Sequence, residues 1–161
     1  MKFSSLFLTA LISSGAFTTH AQSTNLLHFP ASGFSIAPLE SKPGRTPQLI
    51  LTMSLPSVNG FAPNVNVLTQ PYDGTIEEYV SLSLGQFKSM DFQLVKQTQP
   101  KAGIATLEYT GISQGHDLHW YAKAVKSANH IYLITATAPA DRWDELSSRL
   151  IACVDSFQCD N

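Results

Sequence analysis

Residues 104–137 read IATLEYTGISQGHDLHWYAKAVKSANHIYLITAT, and the fold follows from how that stretch divides. Three runs rich in β-branched and aromatic residues, Ile104–Ser113, Leu118–Lys126 and Ile131–Thr137, are parted by Gln114–Asp117 and Ser127–His130. Runs of that composition, separated by a few turn-forming residues, predict strands joined by hairpins. Phe92–Gln97 precedes them across Pro100–Gly103, so the four together predict an antiparallel meander. In the last run Ile131, Tyr132, Leu133, Ile134 and Ala136 are all apolar. A strand without a polar face belongs at the centre of a sheet, covered on both sides.

Helices flank the meander. Thr75-Ile76-Glu77-Glu78 is a capping box, in which the Thr75 hydroxyl and the Glu78 carboxylate each satisfy a backbone N–H of the other's residue. Behind it Ile76, Tyr79, Val80, Ser83, Leu84 and Phe87 recur every three to four residues, which predicts one apolar face running to about Met90. A second helix follows Pro139, with Asp141 as its expected N-cap and Trp143, Leu146, Leu150, Ile151 and Val154 as its buried stripe. Upstream, Leu49, Leu51, Met53 and Leu55 alternate with Gln48, Ile50, Thr52 and Ser54, and Val65 and Val67 alternate with Asn64 and Asn66. Segments 38–47 and 56–64 read as loops, being rich in Pro and Gly. These elements predict an α+β fold, a three-layer α/β/α sandwich with helices on opposite faces of a central, mainly antiparallel sheet.

The N-terminus has the three parts of a secretory leader. Lys2 is the positive region, Leu6–Phe17 the apolar core, and Thr19-His20-Ala21 a small-x-small cleavage site. The apolar run is too short for a membrane span and is interrupted by Ser13, Ser14 and Gly15. Residues 1–21 are therefore expected to be a cleaved signal peptide, and 22–161 a single domain that is periplasmic or secreted. Gln22 follows the cut where a lipoprotein would carry Cys, so the mature chain is expected to be untethered, with no membrane insertion. Its nine Lys and Arg stand against twelve Asp and Glu, a balance of −3, and the charges are scattered. No basic stripe is present for nucleic acid or an anionic lipid surface, and neither is an expected partner.

In this order of elements the sequence resembles the PsbP-like fold family, whose bacterial members include DcrB-type envelope proteins. The stretches that carry the resemblance are Gly33–Pro38 (GFSIAP), Asn64–Val67 (NVNV), Gly74–Tyr79 (GTIEEY), Gly103–Tyr109 (GIATLEY), His130–Ala136 (HIYLITA) and Ser156-Phe157. The likeness covers roughly residues 28–157. The resemblance implies an α/β/α sandwich around an antiparallel sheet. It also implies non-catalytic roles: docking on a larger complex, binding a protein partner, or chaperoning.

The short catalytic signatures are missing. The chain has no Gly-x-Ser-x-Gly, no Gly-x-Gly-x-x-Gly, no phosphate-cradling Gly-x-x-x-x-Gly-Lys and no His-Glu-x-x-His. A non-enzymatic domain without a cofactor is expected, binding an unidentified envelope protein. Phe61, in a loop flanked by Gly60 and Pro63, is the candidate partner contact, because no core duty is apparent for it. The alternative is a small-ligand or metal-binding protein, or an enzyme, built on His116-Asp117-Leu118-His119. His116 and His119 could ligate Zn or Cu if a turn curled them together. On a strand the two would point to opposite faces. Glu77-Glu78 and Asp144-Glu145 are helix-start charges. Tyr109, Trp120, Tyr121 and Tyr132 are expected to pack across strands. Cys153 and Cys159, the only cysteines, are expected to form a disulfide in an exported protein, provided that the helix ends near Val154.

Overall fold

Two-residue turns set the sheet. The computed structural model describes residues 26–39 and 44–159, and the leader expected over 1–21 lies outside the described residues. The meander comprises β5 (Gln93–Gln97), β6 (Ile104–Ser113), β7 (His116–Ser127) and β8 (His130–Pro139). Gln114 and Gly115 alone connect β6 to β7, both at positive φ (52° and 80°), the backbone of a type I′ hairpin. This corrects the expected turn. His116 and Asp117 are strand residues, paired with Ser113 and Ile112, and His130 pairs with Ser127 and Pro71. Short turns whose twist matches the strands lengthen the ladder at the expense of the loop.

The chain divides at residue 40 into two compact units. In the first, β1 (Leu27–Phe29) and β2 (Phe34–Ile36) form an antiparallel pair, joined by a 3-10 turn that Gly33 ends at φ 72°. The Phe29 and Phe34 rings stack at 4.9 Å, and His28 Nδ1 lies 2.8 Å from Ser35 Oγ. The second unit holds β3 (Gln48–Ser54), β4 (Asn64–Pro71) and the meander in one six-stranded sheet, ordered β3-β4-β8-β7-β6-β5 with antiparallel neighbours. As expected, β8 is central. Ile131, Ile134, Ala136 and Ala138 are at most 1% exposed.

The first helix, α1 (Ile76–Ser89), carries the capping box in full: Glu78 N–H donates to Thr75 Oγ1 at 3.2 Å, and Thr75 N–H to Glu78 Oε2 at 2.8 Å. The second, α2 (Trp143–Asp155), departs from expectation at its start. Asp141 is not its N-cap; it lies in a 3-10 turn (Ala140–Arg142), and Arg142 begins the helix without a side-chain cap bond. The strict alternation expected of β3 is broken as well. A bulge between Leu49 and Leu51 shifts the register, leaving Leu49 and Ile50 exposed while Leu51 and Met53 are half-buried.

Two apolar clusters hold this unit together. One joins Trp143, Leu150 and Val154 of α2 to Val65, Val125, Ile134, Ala136 and Ala138. The other joins Ile76, Tyr79, Val80 and Phe87 of α1 to Ala105, Leu107, Ala124 and Ile131. Each large side chain so buried stabilises by about 1.5–3 kcal/mol. Among the described residues no helix is long and apolar enough to cross a membrane.

Candidate functional site

The type I′ turn of β6–β7 lies beside a second tight turn. Val58 and Phe61 exchange both backbone hydrogen bonds (2.9 and 3.2 Å), with Asn59 and Gly60 between them at φ 53° and 82°. That closure folds Phe61 back, half-buried, until its ring stands 5.4 Å from the His116 ring at 59°. Phe61 is thus part of a wall and not a protruding loop aromatic. A cavity of about 330 Å³ opens here, lined by Val58, Asn59, Phe61, Gly115, His116, Asp117, Pro139, Asp141 and Arg142. The Arg142 guanidinium forks onto the Glu145 carboxylate at 3.0–3.2 Å, which neutralises much of its charge.

His119 goes elsewhere. Its Nε2 lies 2.8 Å from Glu108 Oε1, and the same oxygen accepts from Trp143 Nε1–H at 3.2 Å. The His119 ring stacks on the Trp143 indole at 4.0 Å, nearly parallel. Glu108 therefore ties β6, β7 and the first turn of α2 together, and His119 is a structural member of that tie. His116 and His119 are not brought to one point. Among the described residues no group of three or more His, Cys, Asp and Glu is placed to hold a metal ion.

The remaining candidates lie apart from the cavity. Trp120 is buried and stacks on Phe92 (4.8 Å) and Tyr109 (5.0 Å), and Phe92 closes over Gly111, where a Cβ would overlap its ring. Burial, with a smaller contribution from nearby Tyr79, pushes the Tyr109 hydroxyl up to about 12. Cys153 lies in the last turn of α2 and Cys159 beyond it, both half-buried against the α2 cluster, and no disulfide joins them in this structure. The helix does end close to Val154. Its last carbonyl, Asp155 O, and Phe157 O just beyond the helix accept from Lys123 Nζ, at 3.0 and 3.2 Å.

Two features of this region escaped the sequence. Glu108 is one, its partners being 11 and 35 residues away. The meeting of Phe61 with His116 is the other; Asn59-Gly60 between Val58 and Phe61 is a type I′ signal that could have found half of it.

No protein-family model matches the chain, and no curated protein does. Among solved structures it is similar to PA94, a Pseudomonas aeruginosa protein of unknown function, at TM-score 0.57 and 12% identity, over 84% of this chain and 96% of that one. It also resembles the cyanobacterial PsbP (CyanoP) of Synechocystis at TM-score 0.48 and 15% identity, over 77% and 100% of the two chains. A third is LpqN of Mycobacterium tuberculosis, described as involved in cell envelope biogenesis, at TM-score 0.43 and 13% identity, over 71% and 84%. At 12% identity the likeness to PA94 is one of fold alone.

Proposed function

We propose that the protein is an exported, non-catalytic domain of the cell envelope that binds another protein at the cavity between the Val58–Phe61 turn and the β6–β7 turn. The observation that carries this reading is the placement of Phe61 against His116, in a lining that mixes apolar Val58 and Pro139 with charged Asp117, Asp141 and Arg142. Contact sites combine apolar and aromatic side chains with polar groups in this way. The scaffold behind it is a three-layer α/β/α sandwich. In support, α2 draws on Ile134, Ala136 and Ala138 of β8 and α1 on Ile131, and residues an odd number apart on a strand face opposite ways. Cys153 and Cys159, not bridged in this structure, are expected to be bridged in protein from an oxidising compartment. Thiol alkylation of oxidised, denatured protein should leave both unlabelled.

A small ligand in the same cavity is the second reading, favoured by its volume, which falls at the lower end of the range for such sites. Replacing Phe61 by Ala should weaken capture of the partner by more than about 1 kcal/mol if the ring is a central anchor. Cross-linking yield in the intact envelope measures it, with thermal melting as the folding control. A hydrolytic or redox activity abolished by His116→Ala would contradict the proposal.

A further inference from the structure

A separate hollow lies beneath α1. Ala122 and Ala124 of β7 are small where the helix crosses the sheet, and with Phe87, Phe92, Leu107 and Tyr109 they enclose a cavity of about 160 Å³. An outer cavity of about 450 Å³ adjoins it. Tyr79, Ser83, Gln86 and Leu133 line both, so the two meet at that neck. The inner end is apolar and aromatic, with the Tyr109 hydroxyl as its polar feature. Gln70 and Tyr72 give the outer part a polar collar, and among the described residues Arg45 is the one charged residue lining either cavity. Glu78, whose charge reaches Tyr72, is held by the Thr75 amide at 2.8 Å.

We propose that this hollow binds one anionic single-chain amphiphile, its hydrocarbon chain under α1 and its carboxylate or phosphate at Arg45. Apolar cavities of such size take up apolar molecules readily. A peptide is a poor fit, because its backbone N–H and C=O groups would be buried at the inner end with almost nothing to bond to. A neutral hydrocarbon would leave the collar and Arg45 unused. The absence of a basic stripe is no objection: a single molecule held in a pocket needs one cation, whereas a charged surface needs many. This site shares no residue with the Phe61 cavity, and it stands or falls independently of the function proposed above.

Isothermal titration calorimetry of the full mature protein with decanoate, decyl phosphate and decanol, each below its aggregation concentration, tests the assignment. Both anions are expected to bind at one site, about fivefold tighter than decanol, the contribution of one exposed ion pair. Whichever anion binds more tightly distinguishes a fatty-acid from a lipid-phosphate source. Arg45→Ala should bring the anions down to the decanol affinity and leave decanol unchanged. Gln86→Trp, at an exposed position of α1 that lines the neck, should weaken all three by about tenfold or more with the melting temperature preserved. Equal affinity of decanol and the anions in the unmodified protein overturns the proposal. So does the lack of saturable binding by any of them, or indifference to Gln86→Trp.

Discussion

Thr69 sits in β4 opposite Tyr132, 1% exposed, and among the described residues its hydroxyl has no hydrogen-bond partner. An orphaned buried hydroxyl keeps its desolvation cost without compensation. Thr69→Val preserves the shape and removes the orphan, and is expected to stabilise by about 1 kcal/mol, read as a higher urea midpoint at unchanged slope. A lower midpoint would mean that the hydroxyl is satisfied after all. Tyr109 gives a pH dependence. Its folded-state pKa of about 12 lies above the ordinary 10, chiefly through burial and secondarily through Tyr79. The stability it contributes is fully present below pH 10 and is lost as pH rises through 12, because the unfolded chain ionises first. Two pKa units correspond to about 3 kcal/mol. Melting temperatures recorded from pH 9 to 12 should fall less steeply for Tyr109→Phe than for the unmodified protein. At this scale the sequence was only half legible. Phe61 and His116 each stood out, yet which ring meets which depends on two turns 55 residues apart. Glu108 looked like an ordinary strand residue between Thr106 and Thr110, and its role exists only once β7 and α2 are in place.

The elements were legible where the signal is local. For α1 the capping box and the apolar period were enough, and Ile76, Tyr79, Val80 and Phe87 are its buried residues. The start of α2 misled because Asp141 is a good capping residue in a place where a 3-10 turn intervenes, and the side chain never reaches a helix N–H. In β3 the alternation was real in sequence, but one bulged residue reversed its phase. Gly85 offers a test of α1. It lies mid-helix with no atom within 4 Å of where a Cβ would stand. Glycine costs a helix about 1 kcal/mol relative to alanine. Gly85→Ala is therefore expected to raise the melting temperature by a few degrees, whereas a fall would show that something packs on that face.

At the scale of the whole molecule, the order of strands was readable because hairpins bring neighbours in sequence together in space. The six-stranded sheet departs from that rule at one place: β4 pairs with β8, inserting the last strand beside a much earlier one. The two-sided apolar pattern of residues 131–136 is what pointed to a central position for it. Function was least legible, since the residues lining the cavity come from three separate stretches, near 60, 116 and 140. The claim that this cavity is a protein-binding surface is most directly tested by site-specific photo-cross-linking in the intact envelope. A cross-linking residue at Val58, on the cavity wall, is compared with one at exposed Lys88 on α1. The expected result is a discrete protein adduct from position 58 that disappears with Phe61→Ala, and none from position 88. No adduct from 58, or one that persists in the Phe61→Ala background, would contradict the account.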